Sequence, residues 1–106
     1  MVPPFVERVF ELRSAGRESP VRLRLDAPEP DPAPGMDWRC RVRIDGLARA
    51  VDQHAHGIDP LQALALGLEM ARAYLETAPR EPGQVLTWLG QPDLGLPRVL
   101  PARPAA

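Results

Sequence analysis

Gly57-Ile58-Asp59-Pro60-Leu61-Gln62-Ala63-Leu64 announces a helix start by several independent signals. Asp59 is suited to the N-cap, where its carboxylate accepts a backbone N–H of the first turn. Pro60 then takes the first helical position, where a missing N–H costs nothing. Gln62 stands three residues after Asp59, the capping-box spacing, so its side chain can reach back to the Asp59 N–H. Behind it Leu61, Leu64, Ala65, Leu68, Ala71 and Leu75 recur at three- and four-residue steps as one apolar stripe. The spacing predicts a helix from Pro60 to near Thr77, because Pro79 disfavours helical geometry at its predecessor. Upstream the period changes from helical to alternating, and that change decides the fold class.

Residues 5–13 read as a strand with Val6, Phe10 and Leu12 on one side and Glu7, Glu11 and Arg13 on the other. Residues 14–20 supply a turn. Val21, Leu23 and Leu25 then alternate with Arg22, Arg24 and Asp26, the clearest strand in the chain. Pro28, Pro30, Pro32 and Pro34 interrupt residues 27–35 at every second position, which predicts an extended loop without a ladder. Trp38, Cys40, Val42 and Ile44 alternate with Arg39, Arg41 and Arg43 as a third strand. Asp45-Gly46 reads as a two-residue type I′ turn into a fourth strand from Leu47 to about His54. After the helix, residues 84–90 form a short strand or extended segment, and Leu94 and Leu96 can pack a strap onto the core. The expected architecture is α+β: a two-layer, four-stranded antiparallel meander with one long helix on one face and a C-terminal extended segment. Its core comprises Phe10, Leu12, Val21, Leu23, Leu25, Trp38, Cys40, Val42, Ile44, Val51, Leu61, Leu64, Leu68 and Leu75. One domain spans residues 1–106, with a core from about 5 to 98 and a frayed tail over 99–106.

The balance of 13 basic against 14 acidic residues gives a net charge of −1, which argues against strong non-specific attraction to nucleic acid or anionic membrane. Every basic residue is Arg, and Lys and Asn are absent, a pattern that fits codon bias in a GC-rich bacterial genome. The single cysteine excludes an internal disulfide and a Cys-based zinc site. No apolar run approaches the roughly 18 residues of a membrane span, and Met1-Val2-Pro3-Pro4 does not open a secretory signal. A cytoplasmic location without membrane contact is the expectation.

A two-residue Asp45-Gly46 turn would set Ile44 against Leu47, Val42 against Arg49, Cys40 against Val51 and Arg39 against Asp52. Arg39, Arg41, Arg43, Asp52 and His54 would then share the solvent face, joined by Arg22 and Arg24 of the neighbouring strand. Five arginines on one face can form an anion or nucleic-acid platform. The alternative is a solvated face of cross-strand ion pairs, with Glu7 and Glu11 beside Arg22 and Arg24. The face lacks the aromatic side chains on which single-strand binders stack bases. His54 and His56, two apart on a strand, have metal-ligand geometry with Asp59 near, although the arginines raise the cost of a cation. Cys40 falls on the buried side and acts there as a small hydrophobe. No P-loop, zinc knuckle or nucleophile elbow occurs, no catalytic residue is assigned and no cofactor is implied.

The helix-opening run Gly57 to Leu64 resembles a signature in a family of small bacterial proteins of unknown function. Trp38 and Cys40, Asp45-Gly46-Leu47, Trp88-Leu89-Gly90 and Leu94-Gly95-Leu96-Pro97 support the resemblance, which implies a shared fold and carries no catalytic residues across. In layout alone the chain is similar to antitoxin-type domains. The expected function is a non-enzymatic protein-interaction or accessory domain, with a protein partner or a second copy as its ligand. The alternatives are a nucleic-acid-associated, antitoxin-like regulator using the arginine face, although nucleic acid is disfavoured, and a small metal-dependent enzyme built on His54 and His56.

Overall fold

The computed structural model describes residues 4–78 and 82–98. The expected frayed tail at 99–106 lies outside the described residues, as does part of the turn after the helix. The chain is α+β: among the described residues six strands form one antiparallel sheet and a single helix follows the fifth strand.

β1 (Val6–Ser14) and β2 (Arg17–Leu25) form a hairpin paired from Val6↔Leu25 to Ser14↔Arg17. The turn needs only Ala15 and Gly16, at φ 50° and 76°, so residues 17–20 extend β2 instead of forming a loop. Two consecutive positive-φ residues match the twist of the flanking strands, which frees the polar ends to pair. Pro20 is tolerated because β4 pairs with β2 only from Arg22 onward, leaving β2 an edge at that point.

β3 (Glu29–Pro30) corrects the expectation that the proline-rich run makes no ladder: Glu29 pairs with Arg39 and Pro30 with Trp38. It continues along the edge of β4 (Trp38–Asp45) that β2 occupies, and two residues suffice to place an acidic side chain beside an arginine. β5 (Val51–Gly57) runs along the other edge of β4. Ile44 pairs with Val51, not Leu47, so residues 45–50 form the connection and the two-residue Asp45-Gly46 turn is overturned. Asp45 is engaged with β2, opposite Arg22 and bonded to Arg24. Gly46, at φ 106°, passes so close over β2 that a Cβ would stand 2.3 Å from the Pro20 carbonyl oxygen. The glycine answers a close backbone approach, and the turn forms elsewhere. Relative to the expected register β5 slips by four residues, an even number, so every side chain keeps its face.

α1 (Pro60–Thr77) begins and ends where the sequence predicts. Asp59 Oδ1 accepts the Gln62 N–H at 2.7 Å. Gln62 Oε1 in turn accepts the N–H of Ile58 at 2.8 Å, one residue earlier than the capping-box spacing predicts. The buried stripe of α1 is Ala63, Gly67, Ala71 and Leu75. Leu61, expected in the core, is 74% exposed, and Leu64 and Leu68 are half-buried flanks packed against it. Small residues let the helix axis approach the sheet closely. A Cβ at Gly67 would stand 2.9 Å from Cys40 Sγ, so the leucines are displaced to the sides of the contact.

β6 (Val85–Thr87) adds a strand beside β1, with Glu11 opposite Thr87 and Arg13 opposite Val85. Leu89 and Gly90, both at positive φ, then turn the chain between Trp88 and Gln91. Leu94 is buried and Leu96 packs on the core, as expected of a strap. Arg8 clamps this strap by donating to the Leu94 and Gly95 carbonyls while its guanidinium lies 3.8 Å from the Trp88 ring centroid.

Candidate functional site

Alternation sends Phe10, Val21, Leu23, Leu25, Cys40, Val42 and Ile44 inward to pack with α1, and sends the charged residues of the same strands to the other face. Arg22, Arg24, Arg39, Arg41 and Arg43 therefore do share a face with Asp52, His54 and His56, but in a different register from the expected one. Arg39 stands opposite His56, Arg41 opposite His54 and Arg43 opposite Asp52.

Each of the five arginines meets a carboxylate. Arg41 holds Asp52 through Nε and Nη2 at 2.8 and 2.7 Å, a planar two-point contact. The same contact holds the Asp52 carboxyl below the ordinary carboxylate range. Arg39 Nε donates to Glu29 at 2.7 Å and Arg43 Nη2 to Asp26 at 2.8 Å. Arg24 Nη2 donates to Asp45 at 2.6 Å, and Glu7 lies 3.9 Å from both Arg22 and Arg24. Arg24 and Arg43 are direct cross-strand partners, and each of these like charges brings its own acid. Glu11 does not join this network: it accepts the Gly90 N–H at 2.9 Å and so ties β1 to the turn after β6. Exposed pairs of this kind contribute about 0–1 kcal/mol each, so the face is set by charge matching more than by stability.

His54 is half-buried, and burial, followed by the charges of Arg39 and Arg41, pushes its imidazole below the ordinary histidine value. His56 Nδ1 lies 2.8 Å from Asp31 Oδ2, and the two imidazole centroids are 6.5 Å apart. The Asp31 side chain is only 3% exposed although His56 is 45% exposed. Its other oxygen accepts the Ala33 N–H at 2.9 Å, and this backbone hydrogen bond, followed by the contact with His56, lowers the Asp31 pKa. Asp59, expected near the histidines, is engaged as the helix cap. Among the described residues no three His, Cys, Asp or Glu side chains are grouped to hold a metal ion. Cys40 is fully buried, and burial, then the Asp26 charge, pushes its thiol up to about 11.

Sequence reasoning missed Asp26, Glu29 and Asp31 as partners of this face. Signals for them exist: Asp26 alternates with Leu25 on the side of Arg22 and Arg24, and Glu29 and Asp31, two residues apart, fall on one side of a run extended as a strand. A hollow of about 840 Å³ opens on the face between this run and β4–β5, lined by Phe5, Pro28, Glu29, Arg39, Arg41 and His54 among others. No described helix is long and apolar enough to cross a membrane.

Residues 6–98 match the family described as "Domain of unknown function (DUF6968)", and the chain belongs to that family. This agrees with the resemblance drawn from the sequence. No curated protein and no solved structure matches the chain.

Proposed function

We propose that this DUF6968 domain is a non-enzymatic protein-interaction module that self-associates through the outer edge of β5. One observation carries the reading: β5 is seven residues long and, among the described residues, pairs only with β4. A strand paired on one side leaves alternate N–H and C=O groups directed outward, a template for another strand. Val51–Gly57 contains no proline and no lysine, two of the residues that commonly block such an edge. A groove of about 840 Å³ runs beside its start, lined by Leu47, Val51, Gln53, Tyr74 and Ala78 among others.

A second copy is the occupant that fits the sequence of this edge. The antiparallel register that overlaps all seven residues centres on His54. It sets Asp52 opposite the partner's His56 and Gln53 opposite the partner's Ala55, with no two acids and no two arginines opposed. The paired guanidiniums weigh against the anion-platform alternative, because a phosphate would have to displace carboxylates already bonded at 2.6–2.8 Å. Sedimentation velocity over a concentration series, beside oxidation of His54→Cys, tests the proposal. Directly opposed Cβ atoms lie about 4.5–5.5 Å apart, close to disulfide reach, so the variant should cross-link to a covalent dimer. Glu76→Cys on the helix should not. A monomer at all concentrations overturns the reading, and so does a dimer that His54→Cys leaves uncross-linked.

A further inference from the structure

We propose that His54 and His56 chelate a divalent transition-metal ion of imidazole preference, such as Zn²⁺ or Ni²⁺, with Asp31 orienting His56. The inference goes beyond the self-association reading and does not depend on it. His56 and Asp31 carry it. A carboxylate with a 3% exposed side chain, fixed at one oxygen by the Ala33 N–H, directs its other oxygen at Nδ1 of an imidazole that is itself 45% exposed. With Nδ1 engaged, Nε2 is the remaining ligand atom of His56. Imidazole ligands of metals commonly rest their second nitrogen on a carboxylate in this way, which fixes the tautomer and raises ligand basicity.

His54 supplies the second nitrogen. Residues two apart on a strand project from the same face, and the two ring centroids are already 6.5 Å apart with planes inclined by 39°. At metal–nitrogen distances of about 2.0–2.1 Å, two imidazoles on a tetrahedral ion have centroids roughly 5 Å apart, so rotation of the His54 side chain closes the chelate. Water supplies the remaining positions. The arginines do not forbid a cation here. Arg39 and Arg41 stand opposite the two histidines, but Glu29 and Asp52 neutralise them, and Asp31 leaves the cluster with an excess negative charge.

The alternative is a structural clasp, in which Asp31 only pins its loop to β5. Calorimetric titration of the full chain with Zn²⁺ and with Ni²⁺, at concentrations where sedimentation defines the oligomeric state, separates the two. We expect one ion per chain, loss of binding in His54→Ala and His56→Ala, and affinity about 10- to 100-fold weaker in Asp31→Asn. Side-chain ¹⁵N spectra give a readout in the unaltered protein: Zn²⁺ should shift Nε2 of His56 while Nδ1 keeps its proton. An Asp31→Asn variant that binds as tightly as the unaltered chain, or a Zn²⁺-bound His56 that loses the Nδ1 proton, would mean adventitious chelation and overturn the proposal. So would full affinity in His54→Ala. A monomer that binds the ion refutes the edge-pairing reading alone, and a dimer that does not bind it refutes the metal site alone.

Discussion

Gly67→Ala sets two effects of similar size against each other. Alanine in place of a helical glycine stabilises by about 0.8–1.0 kcal/mol, because less backbone entropy is lost on folding. The new Cβ would stand 2.9 Å from Cys40 Sγ and 3.4 Å from both Cys40 Cβ and Leu25 Cδ2. Forcing a methyl group into a filled layer costs about 1–3 kcal/mol. The sulfur has little freedom to yield, since Cys40 is fully buried and its thiol donates to the Asp26 carbonyl at 3.4 Å. Overpacking therefore wins, and the single variant should lose about 0–2 kcal/mol. Cys40→Ala removes the shortest contact, so in that background Gly67→Ala should stabilise by up to about 1 kcal/mol. The coupling in the double-mutant cycle is then about 1–3 kcal/mol in favour of the double variant. Urea unfolding followed by far-ultraviolet circular dichroism under reducing conditions measures it, provided the four m-values agree. Additivity within about 0.5 kcal/mol would refute the close seating of α1 on β4.

Three further outcomes are expected. Asp59→Ala should cost about 0.5–2 kcal/mol in thermal or urea melts and Asp59→Ser clearly less, since a hydroxyl also caps; equal losses would remove the cap assignment. Ala15→Gly should raise stability by about 0.5–1 kcal/mol, because Ala15 sits at φ 50°, where a Cβ is disfavoured; a loss would contradict the turn geometry. The Cys40 thiol should resist iodoacetamide at pH 8 until urea unfolds the chain. Because its folded pKa is raised from 9.0 to about 11, the unfolded thiol ionises first. Its contribution is therefore complete below about pH 9 and is lost as pH rises toward 11, a fall in urea midpoint that Cys40→Ala should lack.

What could be read from the sequence was local. Asp59, Pro60 and Gln62 fix the helix start through bonds spanning three or four residues, and α1 begins where they place it. Strand alternation assigned the faces correctly because a face depends only on parity. What failed depended on distant neighbours. Asp45-Gly46 carries the composition of a tight turn, yet Gly46 is needed because β2 passes beneath it, while the tight turn falls on Ala15-Gly16. Hydrophobicity pointed to Leu61 and Leu64 as the seam of α1. Ala71 and Leu75 of the expected stripe are buried, but Ala63 and Gly67 take the place of the leucines in the first turns, with Gly67 against Cys40, and an apolar count cannot see that closeness.

Long-range contacts reverse the electrostatics of the histidine cluster. Along the strand alone, His54 and His56 have arginines for neighbours and no further ligand, an arrangement costly for a cation. Two of the acids that offset this charge come from elsewhere, Glu29 from β3 and Asp31 from the loop behind it, while Asp52 of β5 itself meets Arg41 in a register that a tight Asp45-Gly46 turn would misplace. Asp31 is separated from His56 by 25 residues, and no periodicity links them. The prolines do more than interrupt a ladder. They hold this segment extended beside β4, which carries its carboxylates to the arginines and the imidazole. Shortening the run should therefore act on the site before the fold. Deleting Pro32 places Pro34, which has no N–H, two residues after Asp31 and so removes the donor that fixes its carboxylate; it should weaken Zn²⁺ binding as Asp31→Asn does while the α1 and β5 amides keep their hydrogen-exchange protection. Global loss of protection in the deletion variant would show that the run supports the sheet itself and would refute this division of labour.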